Sequence, residues 1–215
     1  MHVLDRVVLV GGGGHCKSVL DALMRAGVTV AGTLDNDPSR ADVLGVAVLG
    51  TDAALPDLIA KGHPILITVG SVRDNITRDR LFAEITAMGA DRPALIAQSA
   101  IVSPAARIGA GCVIMERAVV NVGAVVGDNC IVNTGAIVEH DARVGRSVHI
   151  APGAILGGGV RVGDLAFIGS GATLIQGIAV GDRAVVGAGA VVIRDIPPGA
   201  FAVGNPATIK SEADL

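Results

Sequence analysis

From Val102 to Val192 an aliphatic residue returns at every sixth position, beginning Val102, Ile108, Ile114, Val120 and ending Val180, Val186, Val192, sixteen times in succession. Four places after each, the side chain is again small or aliphatic, from Ala106 and Cys112 through Ala136 and Ala154 to Ala190 and Ile196. No helical period divides six in this way, and a flat strand of period two does not single out one position in six. Glycine often follows the aliphatic residue, as at Gly109, Gly127, Gly145, Gly157, Gly163, Gly169, Gly181 and Gly187. That placement suits a backbone turning where a Cβ would clash. One hexad is a short strand plus a corner, and three hexads close a three-sided coil. Each coil then stacks on the one eighteen positions earlier. At the strand spacing of about 4.8 Å, five coils make a prism roughly 25 Å long.

The first hundred residues follow another rhythm. Arg6 to Val10 reads as a buried strand running into Gly11, Gly12, Gly13, Gly14 and His15. Lys17 to Ala26 has helical spacing, with Val19, Leu20, Leu23 and Met24 on one face and Gly27 as the stop. A second strand, Val28 to Leu34, ends at Asp35, Asn36 and Asp37. A third, Ile65 to Val69, leads into Gly70, Ser71 and Arg73, and another helix runs from about Asn75 to Met88. This alternation predicts a small doubly wound α/β domain, whose ligands gather beyond the carboxyl ends of its strands. Residues 90–103 carry no strong element and read as a connector, of which Leu95 to Val102 enters the first coil. The expected division is therefore 1–95 for a Rossmann-like domain and 96–215 for the coil and its tail, held at a fixed angle by the short hinge.

Composition narrows the function classes. Half of the 215 residues are apolar, yet no apolar run approaches the roughly 20 needed for a membrane span. With three Phe, no Trp or Tyr, and a net charge of −3, neither base stacking nor phosphate-backbone binding is favoured. Val7 to Val10 passes at once into glycines, unlike a signal peptide, so a cytoplasmic protein is expected. Cys16, Cys112 and Cys130 lack metal spacing, and two of them fall at interior hexad positions, which points to reduced, buried thiols.

Candidate chemistry lies where polar residues interrupt the small-residue grammar. The clearest interruption is Glu139, His140 and Asp141 after Val138, followed nine residues later by His149. An imidazole near pKa about 6.5 can take a proton at neutral pH, and an adjacent carboxylate raises its basicity and fixes its tautomer. In the first domain, Asp35 lies at the right distance beyond the glycines for a ribose contact, as in dinucleotide sites. The glycine count argues against a dinucleotide, because the third glycine position is Cys16 or Lys17. A nucleotide or nucleotide-sugar pocket and a bare structural turn are the other readings.

Taken together, the Gly-rich turn ending in His15, the Asp35 turn, the hexad domain, the Glu139, His140, Asp141 phrase, and His149 before Ala151, Pro152 and Gly153 resemble one family. It is the nucleotide-sugar N-acetyltransferases and sialic acid O-acetyltransferases of hexapeptide-repeat type that serve bacterial surface-polysaccharide pathways. The likeness is strongest to enzymes that acetylate a 4-amino-dideoxy sugar on GDP (perosamine) or UDP (the bacillosamine pathway). The resemblance implies a left-handed parallel β-helix after the α/β domain, and a homotrimer with acetyl-CoA between neighbours. It implies His140 as general base and Asp141 as the acid orienting it. Gly158 matches a backbone donor to the thioester oxygen. His149 matches a position near the thioester, and Ser170 and Ala188 match positions lining the CoA arm. Gly13, Gly14, His15, Asp35, Asn36 and Gly70 match the nucleotide-sugar pocket. Gly204, Asn205, Pro206 and Ala207 resemble the turn that ends such helices.

The expected reaction is direct acetyl transfer from acetyl-CoA to a sugar amine, with no metal and no acyl-cysteine. Three rivals stand beside it: sugar O-acetylation, a hexapeptide-repeat metalloenzyme using about three histidines on zinc, and a non-catalytic nucleotide-binding scaffold.

Overall fold

A computed structural model describes residues 6–71 and 74–210, so Arg73 and His2 lie outside the described residues. Strand β1 (Val7–Val10) lies between the parallel strands β2 (Val30–Leu34) and β5 (Ile65–Ile67), and α1 (Gly14–Arg25) crosses from β1 to β2. A small hairpin of β3 (Asp42–Val43) and β4 (Val46–Ala47), then α2 (Leu55–Ala60), separates β2 from β5, and α3 (Ile76–Ala87) follows. Side-chain alternation along β1 divides the core. Val7 and Leu9 pack with Val19, Leu20 and Leu23 of α1. Val8 and Val10 face α2 and α3 through Leu55, Leu58, Leu81 and Ile85.

From Leu95 to Val192 the chain is a three-sided parallel β-helix of two-residue strands, each paired with the strand one coil away, and an antiparallel hairpin of Phe201–Gly204 and Ala207–Lys210 ends it. In the strands from Ile101 to Val192 the first side chain points away from the prism axis and the second joins a continuous interior of Val, Ile, Leu, Ala and Cys. One sheet begins each strand with Ile101, Val119, Ile137, Ile155, Thr173 and Val191, and is here termed the apolar face. The arginine face presents Arg107, Val125, Arg143, Arg161 and Ala179. The third face, with Leu95, Val113, Ile131, His149, Phe167 and Val185, carries the α/β domain.

From Ile108 to Val186 the corners turn at the third residue after the aliphatic one, where φ is left-handed. Gly123 (71°), Gly135 (66°), Gly159 (66°) and Gly177 (76°) occupy such positions, but so do Arg117 (59°), Asn129 (60°) and Asp141 (59°). The glycines directly after the aliphatic residue serve another purpose. A Cβ at Gly157 would stand 2.8 Å from the Gln176 amide of the next coil. Close stacking of coils, rather than φ, requires glycine there, so the sequence pattern locates the right residues while the turn itself lies two places on.

Docking of the two parts rests on α3. Arg78 is fully buried and donates to the carbonyls of Ile67 (2.6 Å), Val69 (3.3 Å), Asn129 (3.0 Å) and Gly111 (3.2 Å), two from each part. Burial pulls its pKa down to about 10. The Asn75 amide reaches Leu165 and Ala166, and Asp79 holds Arg146 and Ser147. These bonds, more than a short hinge, set the angle between the parts.

Candidate active site

His140 stands at the corner where the apolar face meets the arginine face. The left-handed backbone at Asp141 is a conformation Asp tolerates better than most residues. There the neighbouring side chains meet, with His140 Nδ1 3.0 Å from Asp141 Oδ2. Glu139 accepts from Asn121 Nδ2 at 3.0 Å and from the His140 amide at 3.2 Å. The His140 side chain is 58% exposed, so its free Nε2 is open to an incoming proton. Its pKa is raised above 6.5 chiefly by the hydrogen bond to Asp141; slight desolvation opposes this, and the charges of Asp141 and Glu139 add to it.

One coil on, Gly158 lies directly against the ring: a Cβ there would fall 2.5 Å from His140 Nε2. At Val122 and His140 of this corner, the backbone amide is capped by the side chain before it, Asn121 at 2.8 Å and Glu139 at 3.2 Å. Gly157 has no side chain to do the same, and among the described residues the Gly158 amide has no partner. An exposed imidazole therefore sits beside an unoccupied N–H. The corner at the other edge of the apolar face, where the docked face ends, repeats the device. Asn133 caps the Thr134 amide at 2.8 Å, whereas Ser170 and Ala188 follow Gly169 and Gly187, are exposed, and have uncapped amides.

His149 is elsewhere. It is buried on the docked face, where its Nε2 is 3.1 Å from the Asn133 amide nitrogen and its Nδ1 is 3.0 Å from Ser71 Oγ. Asn133 can only donate at its nitrogen, so Nε2 accepts and Nδ1–H donates to Ser71. Ser71 in turn donates to Asn75 Oδ1, which orders the chain of bonds from one domain to the other. Burial first, then the charge of Arg78, lowers the pKa of His149 to about 4, so it is neutral at pH 7. Phe167 meets its ring edge-on at 5.2 Å, and the His15 ring lies 6.5 Å away. His140 and His149 thus occupy different sides of the prism. Among the described residues no three His, Cys, Asp or Glu side chains cluster as metal ligands.

The first-domain residues do converge. Gly13 caps α1 without any side-chain bond, no acid sits in the first turn, and a Cβ on Gly13 or Gly14 would meet nothing within 4 Å. Open amides at a helix start favour an anion. A cavity of about 370 Å³ is lined by Gly11 to His15, Asp35, Arg40 and Thr68 to Gly70, and Lys17 and Asp42 line an adjoining one of about 310 Å³. Asp35 accepts from the Gly12 amide (2.5 Å), Arg40 (2.7 Å) and the Asp37 amide (2.8 Å). Its carboxylate is already committed to shaping the loop. Asn36 pairs with Asp52 at 2.9 Å. His15 has its pKa lowered to about 3 by burial, with Arg78 and His149 adding, and its Nε2 is buried without a partner among the described residues. Gly70 packs against the His15 Cβ at 3.0 Å as measured from an added Cβ.

Sequence reasoning missed Arg40, Lys17, Asn133 and Arg78, and named Ser71 only as part of the turn after the third strand. Arg40 and Ser71 carry no motif, and Arg78 looks like an ordinary helix-surface charge. Asn133 had a signal: it breaks the run of Gly after the aliphatic residue, as Asn121 and Glu139 do. Cys16, Cys112 and Cys130 are free and buried, and Cys130 Sγ donates to the Gly145 carbonyl at 3.0 Å.

An α/β domain with an anion-ready glycine turn, joined to a hexad prism with a carboxylate-paired histidine at its corner, defines a hexapeptide-repeat acyltransferase of two-domain type. The PglD N-terminal domain family matches residues 6–85, and the bacterial transferase hexapeptide family (six repeats) matches residues 141–176. GDP-perosamine N-acetyltransferase from Caulobacter crescentus, solved with CoA and GDP-perosamine, is 43% identical over 96% of this chain and 97% of that one, with a TM-score of 0.90. The acetyltransferase domain of PglB from Neisseria gonorrhoeae, also solved with acetyl coenzyme A, is 38% identical over 96% of this chain and 99% of that one, with a TM-score of 0.89. A search of curated protein sequences found no match. The chain belongs to the nucleotide-sugar N-acetyltransferase family of hexapeptide-repeat acyltransferases, and its prism is a left-handed parallel β-helix.

Proposed function

We propose that this protein transfers the acetyl group of acetyl-CoA to the 4-amino group of a nucleotide-linked amino-dideoxy sugar. The observation that carries the reading is His140, held by Asp141 at 3.0 Å, exposed, and lying against the open amide of Gly158. As the amine nitrogen attacks the thioester carbon, Nε2 of His140 accepts its proton, Asp141 stabilises the imidazolium through Nδ1–H, and the Gly158 N–H faces the developing oxyanion. The C–N bond forms, the C–S bond breaks, and the proton passes from the imidazolium to the departing thiolate. Cys112 and Cys130 lie inside the prism, which disfavours an acyl-cysteine route.

Residues 1–95 would hold the nucleotide sugar and 96–215 the acyl donor. The Gly13, Gly14 and His15 amides, Lys17 and Arg40 suit a diphosphate, with Asp35 shaping the rim and Gly70 opposite, whereas Asn36 lines a separate cavity with Asp52, Thr77 and Arg80. Uncapped amides at Ser170 and Ala188 suit the amide-bearing CoA arm. A homotrimer completes the arrangement. His140 is separated from His149, Ser71 and the nucleotide pocket by one side of a coil, up to about 20 Å at 3.3 Å per residue. A groove holding both needs the His140 corner of one copy beside the Ser170 corner of the next. The apolar face between those corners offers Ile137, Ile155 and Val191 for that contact. No helix among the described residues is long and apolar enough to cross a membrane, and we place the reaction in the cytoplasm, where acetyl-CoA is made.

Incubating a panel of GDP- and UDP-linked 4-amino sugars with acetyl-CoA, and reading free thiol, tests the assignment. Thiol release with at least one is expected; release with none, or only with hydroxyl acceptors, rejects N-acetylation.

A further inference from the structure

The cavity that Asn36 lines holds about 190 Å³, room for a single flat base, and shares Gly11, Asp35 and Val69 with the cavity of about 370 Å³ beside the glycine turn. These three residues follow β1, β2 and β5, so the two cavities lie on either side of one wall at the carboxyl ends of the sheet. The larger reaches the start of α1, and the smaller reaches Thr77, Arg80 and Leu81 of α3. Val69 and the buried Leu81 give the smaller cavity an apolar side. Its polar edge is Asn36, Asp52, Thr77 and Arg80. That edge is already ordered. Asn36 Nδ2 donates to Asp52 Oδ2 at 2.9 Å, and the Asp52 amide donates back to Asn36 Oδ1 at 3.3 Å. The carboxylate is thereby fixed by one oxygen, while Asp52 Oδ1 accepts no bond among the described residues. Arg80 is drawn to Glu84 at 3.0 Å one turn along α3, an exposed pair of the kind that competes weakly with a ligand.

We propose that this smaller cavity reads the base of the nucleotide and selects guanine through Asp52; the proposal rests on the nucleotide-sugar reading of residues 1–95 above. In an open α/β sheet a nucleotide lies across the strand ends with its phosphates at a helix start. A diphosphate on the Gly13 and Gly14 amides puts the ribose over Asp35 and sends the base to the α3 side, between Val69 and Leu81. Guanine offers two adjacent donors, its ring N–H and its amino group, which a fixed carboxylate accepts together. An ionised carboxylate has about four acceptor positions, and Asn36 takes one. The guanine O6 and N7 acceptors suit a guanidinium such as Arg80. Uracil sets a carbonyl on each side of its one ring N–H, so an oxygen would face the Asp52 carboxylate and be repelled. Adenine has a bare acceptor nitrogen where guanine carries the ring N–H. The rival place for the base is the cavity of about 310 Å³ beside the β3–β4 hairpin. Its side chains include the cations Lys17 and Arg40, and its acid, Asp42, is turned to the Gly45 amide at 3.0 Å. Such a lining suits phosphate and leaves the guanine donors without an acceptor.

Calorimetric binding of GDP and UDP to the full chain needs no acyl transfer and so reads this cavity apart from the catalytic proposal. Wild-type protein is expected to bind GDP about tenfold or more tighter than UDP, the discrimination of one bidentate base contact. Asp52→Asn should weaken GDP about tenfold or more and change UDP by no more than about threefold. Xanthosine diphosphate carries a carbonyl where guanine carries the amine, and an Asn amide donates to that carbonyl. Asp52→Asn should therefore bind xanthosine diphosphate tighter than GDP, a gain of binding that a misfolded variant does not give. Equal affinity for GDP and UDP in the wild type, an equal loss of both in Asp52→Asn, or the GDP-selective loss in Asp42→Asn instead would overturn the base assignment while leaving the nucleotide reading in place. Failure of the wild type to bind either nucleotide would reject that reading and the base assignment with it.

Discussion

The catalytic proposal turns on a single contact, His140 Nδ1 to Asp141 Oδ2 at 3.0 Å, made between neighbouring residues because Asp141 adopts φ 59°. Replacing His140 by Asn keeps the size of the side chain but removes the base, and turnover is expected to fall by about two to four orders of magnitude with the oligomer intact. Stopped-time thiol assays and light scattering on the same sample check both halves. Asp141→Asn removes the group that raises the His140 pKa. The rate rises with pH as the imidazole loses its proton, so the midpoint of that rise should move to lower pH in the variant, while the plateau falls because the base is weaker. A midpoint that stays in place or moves upward would show that Asp141 does not govern the ring. His149 works in the other sense. Its folded pKa of about 4 lies below the usual value of 6.5, so its contribution to stability is fully present above pH 6.5 and is lost as pH falls toward 4. His15, at about 3, extends the same trend. Thermal melts across pH 4 to 7 should show this fall, and His149→Asn should flatten part of it.

Within one corner, two adjacent glycines have different duties. A methyl on Gly158 would sit 2.5 Å from His140 Nε2, but Gly158 does not need left-handed backbone. Gly158→Ala is therefore expected to displace the ring and lower kcat at least tenfold while the melting temperature changes little. Gly159 has φ 66° and open space where a Cβ would go. Gly159→Ala should cost about 1 to 2 kcal/mol of stability through backbone strain, with the smaller effect on kcat. Reversed ranks in paired melting and rate measurements would show that the corner is built differently. The same logic explains the open amides: a side chain after the aliphatic residue caps the next N–H at Asn121, Asn133 and Glu139. After Gly109, Gly145 and Gly163 an aspartate of the next coil takes that N–H instead, whereas after Gly157, Gly169 and Gly187 it has no partner among the described residues.

At the level of the whole molecule, the proposed homotrimer answers to the separation of the two candidate half-sites within one chain. His140 faces outward from one edge, while His15, His149 and Ser71 are gathered on the docked face. The expectation is a trimer by light scattering, and Ile155→Arg on the apolar face should yield monomers that fold but do not transfer acetyl groups. A wild-type monomer with full activity would defeat that picture. Arg78 governs the other joint. Its four carbonyl partners, Ile67, Val69, Gly111 and Asn129, would lose their donor if it were truncated, and each buried polar group left unpaired costs about 1 to 3 kcal/mol.

The prism was legible because its repeat is enforced at every coil: Val102 to Val192 must fill one interior, and any departure leaves a hole or a clash. The His140 phrase was legible for the same reason, since polar residues at a corner stand out against that pattern, and the glycine turn before His15 marked the anion pocket. Long-range meetings were hidden. Asn133 and Ser71 are far apart in sequence, and nothing local in either foretells that both would grip His149. Arg78 reads as a surface charge until α3 is laid across the corner carbonyls of another domain. Local repetition writes the coil into the chain, because each hexad answers to its stacked neighbours alone. The pairing of distant residues depends on how two finished surfaces fit, and that is settled only when both have formed.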